Sequence, residues 1–536
     1  MEEEGYLLLV LHTHLPFVKD AEHAFTREES WLYEAVADCY IPLLSMLSNL
    51  ADLKADFRIA FSLTPCLAEM FNDHVLQERC LRYMDERVEL AHKEIRTQCR
   101  FPALLETAQW YSRKFAFCRR WYEERCSRDI LSAFIRLRDT GTVSILASGA
   151  THAYFPLWEI FPHLVDFQVR LGVHHYKKHI NRGGPAGFWL PECGYFTNVD
   201  TILYENGIRY FFLDKHGILN AHPRPGYGEY APVHCPAGVA AFGRNGLVHD
   251  LVWVKDKGYS GDPLYSDFNS DLSNDRNEKY LGFFSRPAGN IKTGIKYGKN
   301  ASGPGNGIFD PAAAFDRCNE QANHFIAACQ SHIEYLRARL GKKPVIVALF
   351  DTELFGHWWM EGPIWLELML KKLVFDQKKI RLISAEEYLA NHPCNEVSMP
   401  SLSSWGYQGY SETWLMGRNH WIYPELYQAQ ESFQELLRRF PGPSGTVREA
   451  LNQYLREFLQ AQCSDWAFIL HRETASDFAM NRIKTSIDNM SSVYRHLLHP
   501  ESGDRQWLKH MQKKNDLFGD MDLLSIYEQS LRLGKS

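Results

Sequence analysis

Seven short apolar runs are distributed between residues 6 and 383, and each is followed by polar or turn-forming residues. The runs show no strict alternation of apolar and polar positions, which is typical of strands covered on both faces. They therefore predict the buried strands of a parallel sheet. The runs are YLLLVL (Tyr6–Leu11), RIAFSL (Arg58–Leu63), VSILA (Val143–Ala147), GFWLP (Gly187–Pro191), RYFFL (Arg209–Leu213), VIVALF (Val345–Phe350) and IRLI (Ile380–Ile383).

Segments with apolar residues at helical spacing lie between most of these runs, for example WLYEAVADCYIPLLSMLSNL and QANHFIAACQSHIEYLRARL. Alternating strands and helices favour an α/β fold with a parallel sheet. Because several runs end next to His, Glu or Asp, the pattern favours a barrel whose site lies at the C-terminal ends of the strands. A doubly wound open sheet is the alternative, but no GxGxxG-type loop follows a predicted strand.

Three regions depart from this alternation and predict the domain organisation. Residues 76–138 are rich in Arg, Glu, Tyr and Trp and have a helical pattern, which predicts a helical insert after the second strand. Residues 220–306 are rich in Gly, Pro and Tyr and predict a long irregular excursion, a type of loop that usually carries function. The chain after Pro424 is again helical. We expect a barrel of residues 1–75 and 139–395, an insert of residues 76–138 and a helical C-terminal domain of residues 396–536.

The composition indicates which kinds of partner the protein lacks and which cellular compartment it occupies. The formal net charge of the 536 residues is -6 and no basic block stands out, which argues against nucleic acid as a partner. The twelve cysteines are scattered without a CxxC pair and the start, MEEEG, is acidic, so we expect reduced thiols and no signal peptide. No apolar run approaches the length of a membrane span. These features predict a cytoplasmic protein without a membrane partner.

The first strand closes with HTH, in which His12 and His14 project to the same side of an extended chain. This spacing suits metal binding, hydrogen bonds to sugar hydroxyls or ordinary packing at a strand end. A metal site is the weaker interpretation, because the later strand ends lack the number of histidines that a two-metal site requires.

Two carboxylates follow predicted strands among aromatic residues. Glu192 stands in FWLPECGY and Asp351 in LFDTELFGHWWMEG. A carboxylate beside Pro and aromatic rings is poorly solvated, which predicts a perturbed pKa. Glu353 is interpreted as a supporting partner and Asp214 as a third strand-end carboxylate.

The aromatic content of 13% includes 14 Trp, and flat apolar rings suit sugar binding. Paired carboxylates among tryptophans fit glycoside chemistry.

These residues lie in motifs that resemble glycoside hydrolase family 57, and within it the 1,4-α-glucan branching enzymes. The likeness extends over nearly the whole chain, and the motifs occur in the expected order. They are VLHTHLPFV, SGATHAYFPL, GFWLPECGY, VWVKDKGYSGDPLY, TGIKY, FDTELFGHWWMEGP, SSWGYQGYSETWL and SDWAF.

The resemblance implies a (β/α)7 barrel, which is an incomplete TIM-like barrel, with a helical insert and a helical C-terminal domain. It implies a retaining mechanism without a metal or other cofactor, with Glu192 as the nucleophile and Asp351 as the acid/base. The substrate-binding positions that it implies are His12, His14, His152, Trp253, Trp405 and Trp414, with Trp31 and Trp359 as further candidates.

The chain departs from the family pattern in the stretch that follows the GYPGD-like motif. Ser260 replaces the motif's proline, and YSDFNSD lacks the arginines that relatives often carry there. In the family's branching enzymes, a loop tyrosine closes over the site. Tyr227 and Tyr230, in RPGYGEYAP, are the candidates here.

The leading hypothesis is therefore an enzyme that cleaves α-1,4-glucan and transfers the chain to a 6-hydroxyl. An α-amylase or a 4-α-glucanotransferase on the same scaffold is the near alternative, since these enzymes differ in the acceptor alone. A metal-dependent hydrolase or deacetylase using His12 and His14 is the distant alternative, and a non-catalytic glucan-binding protein is opposed by the two carboxylates. The sequence leaves the acceptor, the transferred chain length and the oligomeric state open.

Overall fold

The computed structural model describes residues 3–254, 257–287, 289–300, 307–499 and 506–532. Residues 255, 256, 288 and 301–306 of the predicted irregular excursion lie outside this range. Within it, nine strands form one sheet. They are β1 (Gly5–Thr13), β2 (Ile59–Leu63), β3 (Val143–Ser148), β4 (Gly187–Trp189), β5 (Tyr210–Leu213), β6 (Val233–His234), β7 (Ala240–Gly243), β8 (Val345–Asp351) and β9 (Ile380–Leu382).

Seven parallel strands form the frame, in the order β7-β5-β4-β3-β2-β1-β8. The two edges of this ladder approach each other, because the backbone N–H of Asn245, just after β7, donates to the carbonyl of Val347 in β8 at 2.8 Å. The short strand β6 pairs antiparallel with β7, and β9 pairs with Gly5–Leu7 of β1. The predicted α/β fold with an incomplete seven-stranded barrel is confirmed.

The side chains of β1 show how the barrel sorts its two faces. Tyr6, Leu8 and Val10 pack inside the barrel, in a cluster with Trp189. Leu7, Leu9 and Leu11 pack outward, within the large core that the helices share. Because strand side chains alternate, His12 continues the inward row and lies at the C-terminal end of the barrel.

Helices surround this barrel, and local capping signals fix several of their ends. Asp310 accepts hydrogen bonds from the N–H groups of Ala312 and Ala313, and Ser384 accepts from that of Glu387, as its S-x-x-E pattern predicts. The helices up to residue 391 are α1 (Ser30–Ala35), α2 (Ile41–Asp52), α3 (Pro65–Asn72), α4 (His74–Gln98), α5 (Pro102–Arg120), α6 (Ile130–Asp139), α7 (Pro162–His179), α8 (Val199–Glu205), α9 (Lys215–Leu219), α10 (Gly246–Trp253), α11 (Glu278–Leu281), α12 (Pro311–Leu340), α13 (Gly362–Phe375) and α14 (Ala385–Asn391).

The C-terminal part is helical and reaches back to the strand ends. The N–H of Ser464 donates to the carbonyl of His152 at 3.1 Å, and Ala153 forms a β-bridge with Cys463. This contact brings together His152 and Ser464, which are 312 positions apart in the sequence. The helices of this part are α15 (Ile422–Arg439), α16 (Gly445–Ala461), α17 (Ser464–Arg472), α18 (Ser476–Leu498), α19 (Gln506–Lys514) and α20 (Leu523–Ser530).

The structure differs from the sequence prediction in the segment that was expected to be irregular. Residues 220–306 contain β6, α10 and the barrel strand β7. The run of β7, AAFG, has only four residues and ends in glycine, so its apolar signal is weak. The predicted strand Ile380–Ile383 is present as β9, which lies off the barrel ladder. Among the described residues, no helix is long and apolar enough to cross a membrane.

Candidate active site

Glu192 follows β4 in the short helical turn Pro191–Cys193, and its carboxylate is held on both oxygens. Oε1 accepts a hydrogen bond from the hydroxyl of Ser464 at 2.9 Å, and Oε2 accepts one from the indole N–H of Trp405 at 2.8 Å. Both donors come from the C-terminal third of the chain. They fix the direction of the carboxylate and stabilise its ionised form.

The backbone at this place adopts a conformation that side-chain-bearing residues rarely take. Glu192 has φ 60° and ψ 22°, and His152 has φ 59°. The surrounding contacts hold this geometry, since the carbonyl of Glu192 accepts from the N–H of Trp405 at 3.0 Å and that of His152 from the N–H of Ser464. Strained non-glycine residues of this kind concentrate at active sites.

Asp351 is the last residue of β8 and lies beside His12 of β1 in the parallel register. Burial raises the pKa of Asp351 well above its usual value, and the nearby carboxylates of Glu353 and Glu192 raise it further. This environment favours the protonated form of Asp351. The group is therefore suited to donating a proton.

The pKa of Glu192 is raised as well. Burial raises the pKa of Glu192 to about 7, while the hydrogen bonds from Trp405 and Ser464 act in the opposite direction. Hydrogen-bond donors thus stabilise the ionised form of Glu192, whereas the carboxylates of Glu353 and Glu192 oppose the ionisation of Asp351. This difference in environment suits a nucleophile paired with an acid.

Glu353 supports the wall behind the site. Its carboxylate accepts a hydrogen bond from the hydroxyl of Tyr40 at 2.5 Å and one from the N–H of His14 at 3.3 Å. Burial raises its pKa to about 7. These partners fit the supporting role predicted for Glu353, which also contributes charge to the surroundings of Asp351.

A layer of stacked rings lines the barrel end. The ring of His12 stacks on Trp189 at 4.6 Å and on His152 at 4.8 Å, and His152 stacks on His14 at 4.0 Å. Nδ1 of His12 hydrogen-bonds to Ser62 at 2.5 Å, and Nδ1 of His152 to Ser464 at 3.0 Å. The three predicted histidines are therefore brought together.

Among the described residues, His12 and His152 each have one ring nitrogen without a hydrogen-bond partner. Nε2 of both residues is buried and has no hydrogen bond within the described part of the chain. Burial lowers the pKa of both imidazoles well below the usual value, so the rings are neutral at neutral pH. A buried polar atom without a partner is costly unless a ligand satisfies it. These two nitrogens are suited to contact substrate hydroxyl groups.

His14 differs from its neighbours because it is paired with Asp465. Its Nε2 lies 2.7 Å from Oδ2 of Asp465, and its Nδ1 hydrogen-bonds to Thr64 at 2.9 Å. Burial alone would lower the pKa of His14, but the Asp465 carboxylate raises it well above the usual value. Asp465 and Ser464 were not singled out from the sequence, although both lie in the quoted motif SDWAF.

The donor atoms of His14, His152 and Asp465 lie within 4.8 Å of one another and could hold a metal ion. The metal-dependent alternative requires His12 and His14 as ligands. In the structure, His12 is not part of this set and instead lies against Trp189 and Ser62.

Trp405 is the tryptophan most closely tied to the carboxylates. It packs edge-on against Trp189 at 5.0 Å, and the guanidinium of Arg244 lies 5.7 Å from its ring centre. Arg244 also pairs with Asp214, the third strand-end carboxylate. Burial alone would raise the pKa of Asp214, but the contacts with His216 and Arg244 lower it to about 2, so this group is a charge partner and remains ionised.

Two other predicted tryptophans lie inside the core. Trp359 and Trp414 are each 1% exposed. Trp359 packs against Tyr265 and Trp365. Trp414 stacks on Tyr154 at 4.1 Å. Stacking on a sugar requires a free ring face, so this placement opposes the predicted direct contacts.

The exposed ring in the GHWW stretch is the preceding tryptophan. Trp358 is 56% exposed and stacks on Phe268 at 5.1 Å. Neighbouring residues in this turn face opposite ways, which the sequence alone does not reveal. The aromatic surface near Glu353 is thus formed by Trp358, whereas Trp359 packs behind it.

The remaining two tryptophan candidates are only partly buried. Trp31 is half-buried and packs edge-on against Phe478 of α18 at 5.7 Å. Trp253 is half-buried at the end of α10 and packs against the main core. Both keep part of the indole exposed, so contact with a long substrate is sterically open to them.

The two loop tyrosines do not reach the carboxylates in this structure. The ring of Tyr227 lies 4.9 Å from Nζ of Lys342, which precedes β8 and so lies at the end of that strand opposite Asp351. The hydroxyl of Tyr230 hydrogen-bonds to His332 of α12 at 3.2 Å. These contacts place both side chains away from a closing position over Glu192.

Comparison with known proteins links this geometry to a family. The sequence profile described as Glycosyl hydrolase family 57 matches residues 8–400, and the one described as 1,4-alpha-glucan branching enzyme, C-terminal, matches residues 425–526. A 1,4-alpha-glucan branching enzyme of Thermococcus kodakarensis is 29% identical over 509 residues, which cover 90% of this chain and 72% of that protein.

Solved structures give the same grouping. The alpha-amylase AmyC of Thermotoga maritima has 34% identity and a TM-score of 0.90, covering 98% of this chain and 99% of its own. A branching enzyme of this family from Pyrococcus horikoshii has 28% identity and a TM-score of 0.86. The match covers 98% of this chain and 97% of that one. These matches confirm the resemblance predicted from the sequence motifs.

Proposed function

This chain belongs to glycoside hydrolase family 57, and on that premise we propose that it is a 1,4-α-glucan branching enzyme that works through Glu192 and Asp351. The proposal rests on two hydrogen bonds to the Glu192 carboxylate, donated by the Trp405 indole at 2.8 Å and by the Ser464 hydroxyl at 2.9 Å. Through these contacts the C-terminal part of the chain contributes to the site. Residues 425–526 of that part match the C-terminal profile of branching enzymes.

In the first half-reaction, the ionised carboxylate of Glu192 attacks the anomeric carbon of an α-1,4-linked glucose. The bond between that carbon and O4 of the leaving chain breaks, and Asp351 transfers its proton to O4. The leaving chain departs with a free 4-hydroxyl. The other chain remains as a glycosyl ester on Glu192, and Asp351 is now ionised.

In the second half-reaction, Asp351 takes the proton of an incoming 6-hydroxyl. The freed oxygen attacks the anomeric carbon, the ester bond breaks and the Glu192 carboxylate is regenerated. Two inversions leave the α configuration retained. Water in place of the sugar hydroxyl would give hydrolysis and a new reducing end, so the outcome depends on how well the site excludes water and positions the acceptor.

The surroundings of the pair favour a sugar acceptor. The rings of His12, His152 and Trp189 form a packed layer beneath the carboxylates, and the free Nε2 atoms of the two histidines are available to sugar hydroxyls. Membership of the family, with a C-terminal part that matches branching enzymes, supports α-1,4-glucan as the substrate class. We place the activity in the cytoplasm and in branched-glucan synthesis, supported by twelve cysteines that remain free thiols.

Hydrolysis is the second candidate function, and the 34% identity to a protein named as an alpha-amylase favours it. Purified protein incubated with amylose distinguishes the two. Proton NMR of the anomeric region counts α-1,6 linkages, while a reducing-end assay counts hydrolysis. We expect α-1,6 signals to outnumber new reducing ends. Growth of reducing ends without α-1,6 signals would identify an amylase, and changed chain lengths with neither would identify a 4-α-glucanotransferase.

A further inference from the structure

Outside the site described above, three metal-ligating side chains meet between α3 and α7. Glu69 comes from α3, and His175 and His179 from α7. Oε1 of Glu69 lies 3.0 Å from Nε2 of His175 and 3.9 Å from Nε2 of His179. One donor atom from each residue lies within 4.8 Å of the other two.

The helix itself creates this convergence. His175 and His179 are four residues apart, so both rings project from the same face of α7. They stack at 4.4 Å with an interplanar angle of 30°. Two histidines at this spacing, with a carboxylate from another element, form the ligand pattern of zinc sites with two histidines and one glutamate.

One atom of the group is left unsatisfied. Nε2 of His179 is buried and has no hydrogen-bond partner among the described residues, and its 3.9 Å separation from Glu69 is too long for a hydrogen bond. An ordinary hydrogen bond between Glu69 and His175 accounts for two of the three side chains. It does not explain why a third donor atom points at the same carboxylate without contacting it.

We propose that Glu69, His175 and His179 bind a divalent zinc ion. Two imidazole nitrogens and one carboxylate oxygen suit Zn²⁺ better than Mg²⁺ or Ca²⁺, which prefer oxygen ligands throughout. The side chains of Glu69 and His179 are 19% and 20% exposed, which leaves a path for the ion and for a water as fourth ligand. His175 is fully buried and packs edge-on against Phe518 at 5.9 Å.

The ion would connect two barrel helices beside the C-terminal segment. Lys178, between the two histidines, pairs with Asp520, so this face of α7 already contacts that segment. Metal binding to the folded state alone stabilises it by mass action. The proposed site therefore strengthens the packing of α3 on α7, independently of the chemistry at Glu192.

The test uses the full chain in three forms: wild type, His179→Gln and His174→Gln. The first variant removes the unsatisfied ligand and keeps the pair of Glu69 and His175. The second is the matched control, because His174 is an exposed neighbour on the same helix. Each protein is stripped with EDTA, titrated with ZnCl₂ by calorimetry and unfolded thermally with and without Zn²⁺. Circular dichroism and activity on amylose verify the fold of each form.

We expect wild type and His174→Gln to bind one more equivalent of Zn²⁺ than His179→Gln. Zinc should raise their unfolding temperature by about 2 to 5 °C more than it raises that of His179→Gln. The comparison also separates this site from the group of His14, His152 and Asp465, which all three forms retain. Equal stoichiometry and equal thermal shifts in the three proteins would overturn the proposal.

Discussion

The indole N–H of Trp405 donates to Oε2 of Glu192 at 2.8 Å, across 213 positions of the sequence. The backbone N–H of the same tryptophan donates to the carbonyl of Glu192. One residue from beyond the last barrel helix thus fixes both the side chain and the main chain of the proposed nucleophile. Its indole contact also lowers the pKa of Glu192 against the effect of burial.

Replacing Trp405 with Phe should shift the pH dependence of activity. The substitution keeps an aromatic ring and removes the hydrogen bond that stabilises the Glu192 carboxylate. Activity rises with pH as Glu192, whose pKa is raised to about 7, ionises. The rising, acidic side of the pH profile is its acid limb. In Trp405→Phe, the midpoint of this limb should move to a pH about one unit higher. The measurement is kcat/KM against pH on a soluble maltooligosaccharide.

The matched control is Trp421→Phe, whose indole N–H donates to the carbonyl of Arg418 on an exposed surface. Its profile should coincide with that of wild type. An unchanged acid limb in Trp405→Phe would show that Glu192 does not set this limb.

Glu192→Gln should abolish turnover and leave the fold intact. The amide retains the shape of the side chain and a carbonyl acceptor for Trp405 or Ser464, but it does not form the glycosyl ester. We expect activity on amylose to fall by at least about a thousandfold, with thermal unfolding close to that of wild type. Substantial residual branching in a correctly folded variant would remove Glu192 from the nucleophile role.

Asp351→Asn should separate two kinds of substrate. Starch has a poor leaving group and needs the proton of Asp351, so its cleavage should almost cease. An aryl maltooligosaccharide has a good leaving group, so formation of the glycosyl ester should be much less affected. Burst kinetics of aryl release measure this first step. Equal losses on both substrates would contradict the acid role.

The tryptophans should divide into those that bind glucan and those that support the fold. Trp358→Ala should weaken binding of long maltooligosaccharides about tenfold with little change in stability, because the ring is 56% exposed. Trp414→Ala should instead lower the free energy of unfolding by about 3 to 5 kcal/mol, because the ring is fully buried against Tyr154. Calorimetric titration and denaturant unfolding test the two effects. If Trp358→Ala lowered stability and Trp414→Ala weakened binding, glucan would contact Trp414 and not Trp358.

The sequence predicted those parts of the fold that leave a local signal. Buried strands such as β1 and β8 appear as apolar runs, and the polar residues that follow them mark the C-terminal end of the barrel. Strand β7 was missed because its four residues end in glycine within a Gly- and Pro-rich segment. The domain boundaries inferred from composition remain predictions.

Contacts between distant segments leave no such signal. Ser464 and Asp465 reach Glu192 and His14 because α17 begins beside His152, and no periodicity indicates this. Their occurrence in a shared family motif was the available indication. The orientation of adjacent tryptophans was likewise undetermined, since a turn decides whether Trp358 or Trp359 faces the core.

Trapping of the glycosyl ester tests the central claim most directly. Asp351→Asn lacks the base for the second half-reaction, so an activated maltooligosaccharyl donor should transfer its glycosyl chain to Glu192, with loss of the activated leaving group, faster than the ester breaks down. Mass spectrometry of the intact protein should show one added glycosyl chain, and peptide mapping should locate it on Glu192. The double variant Glu192→Gln with Asp351→Asn should show none. A label on any other carboxylate, or the same label in the double variant, would contradict the account.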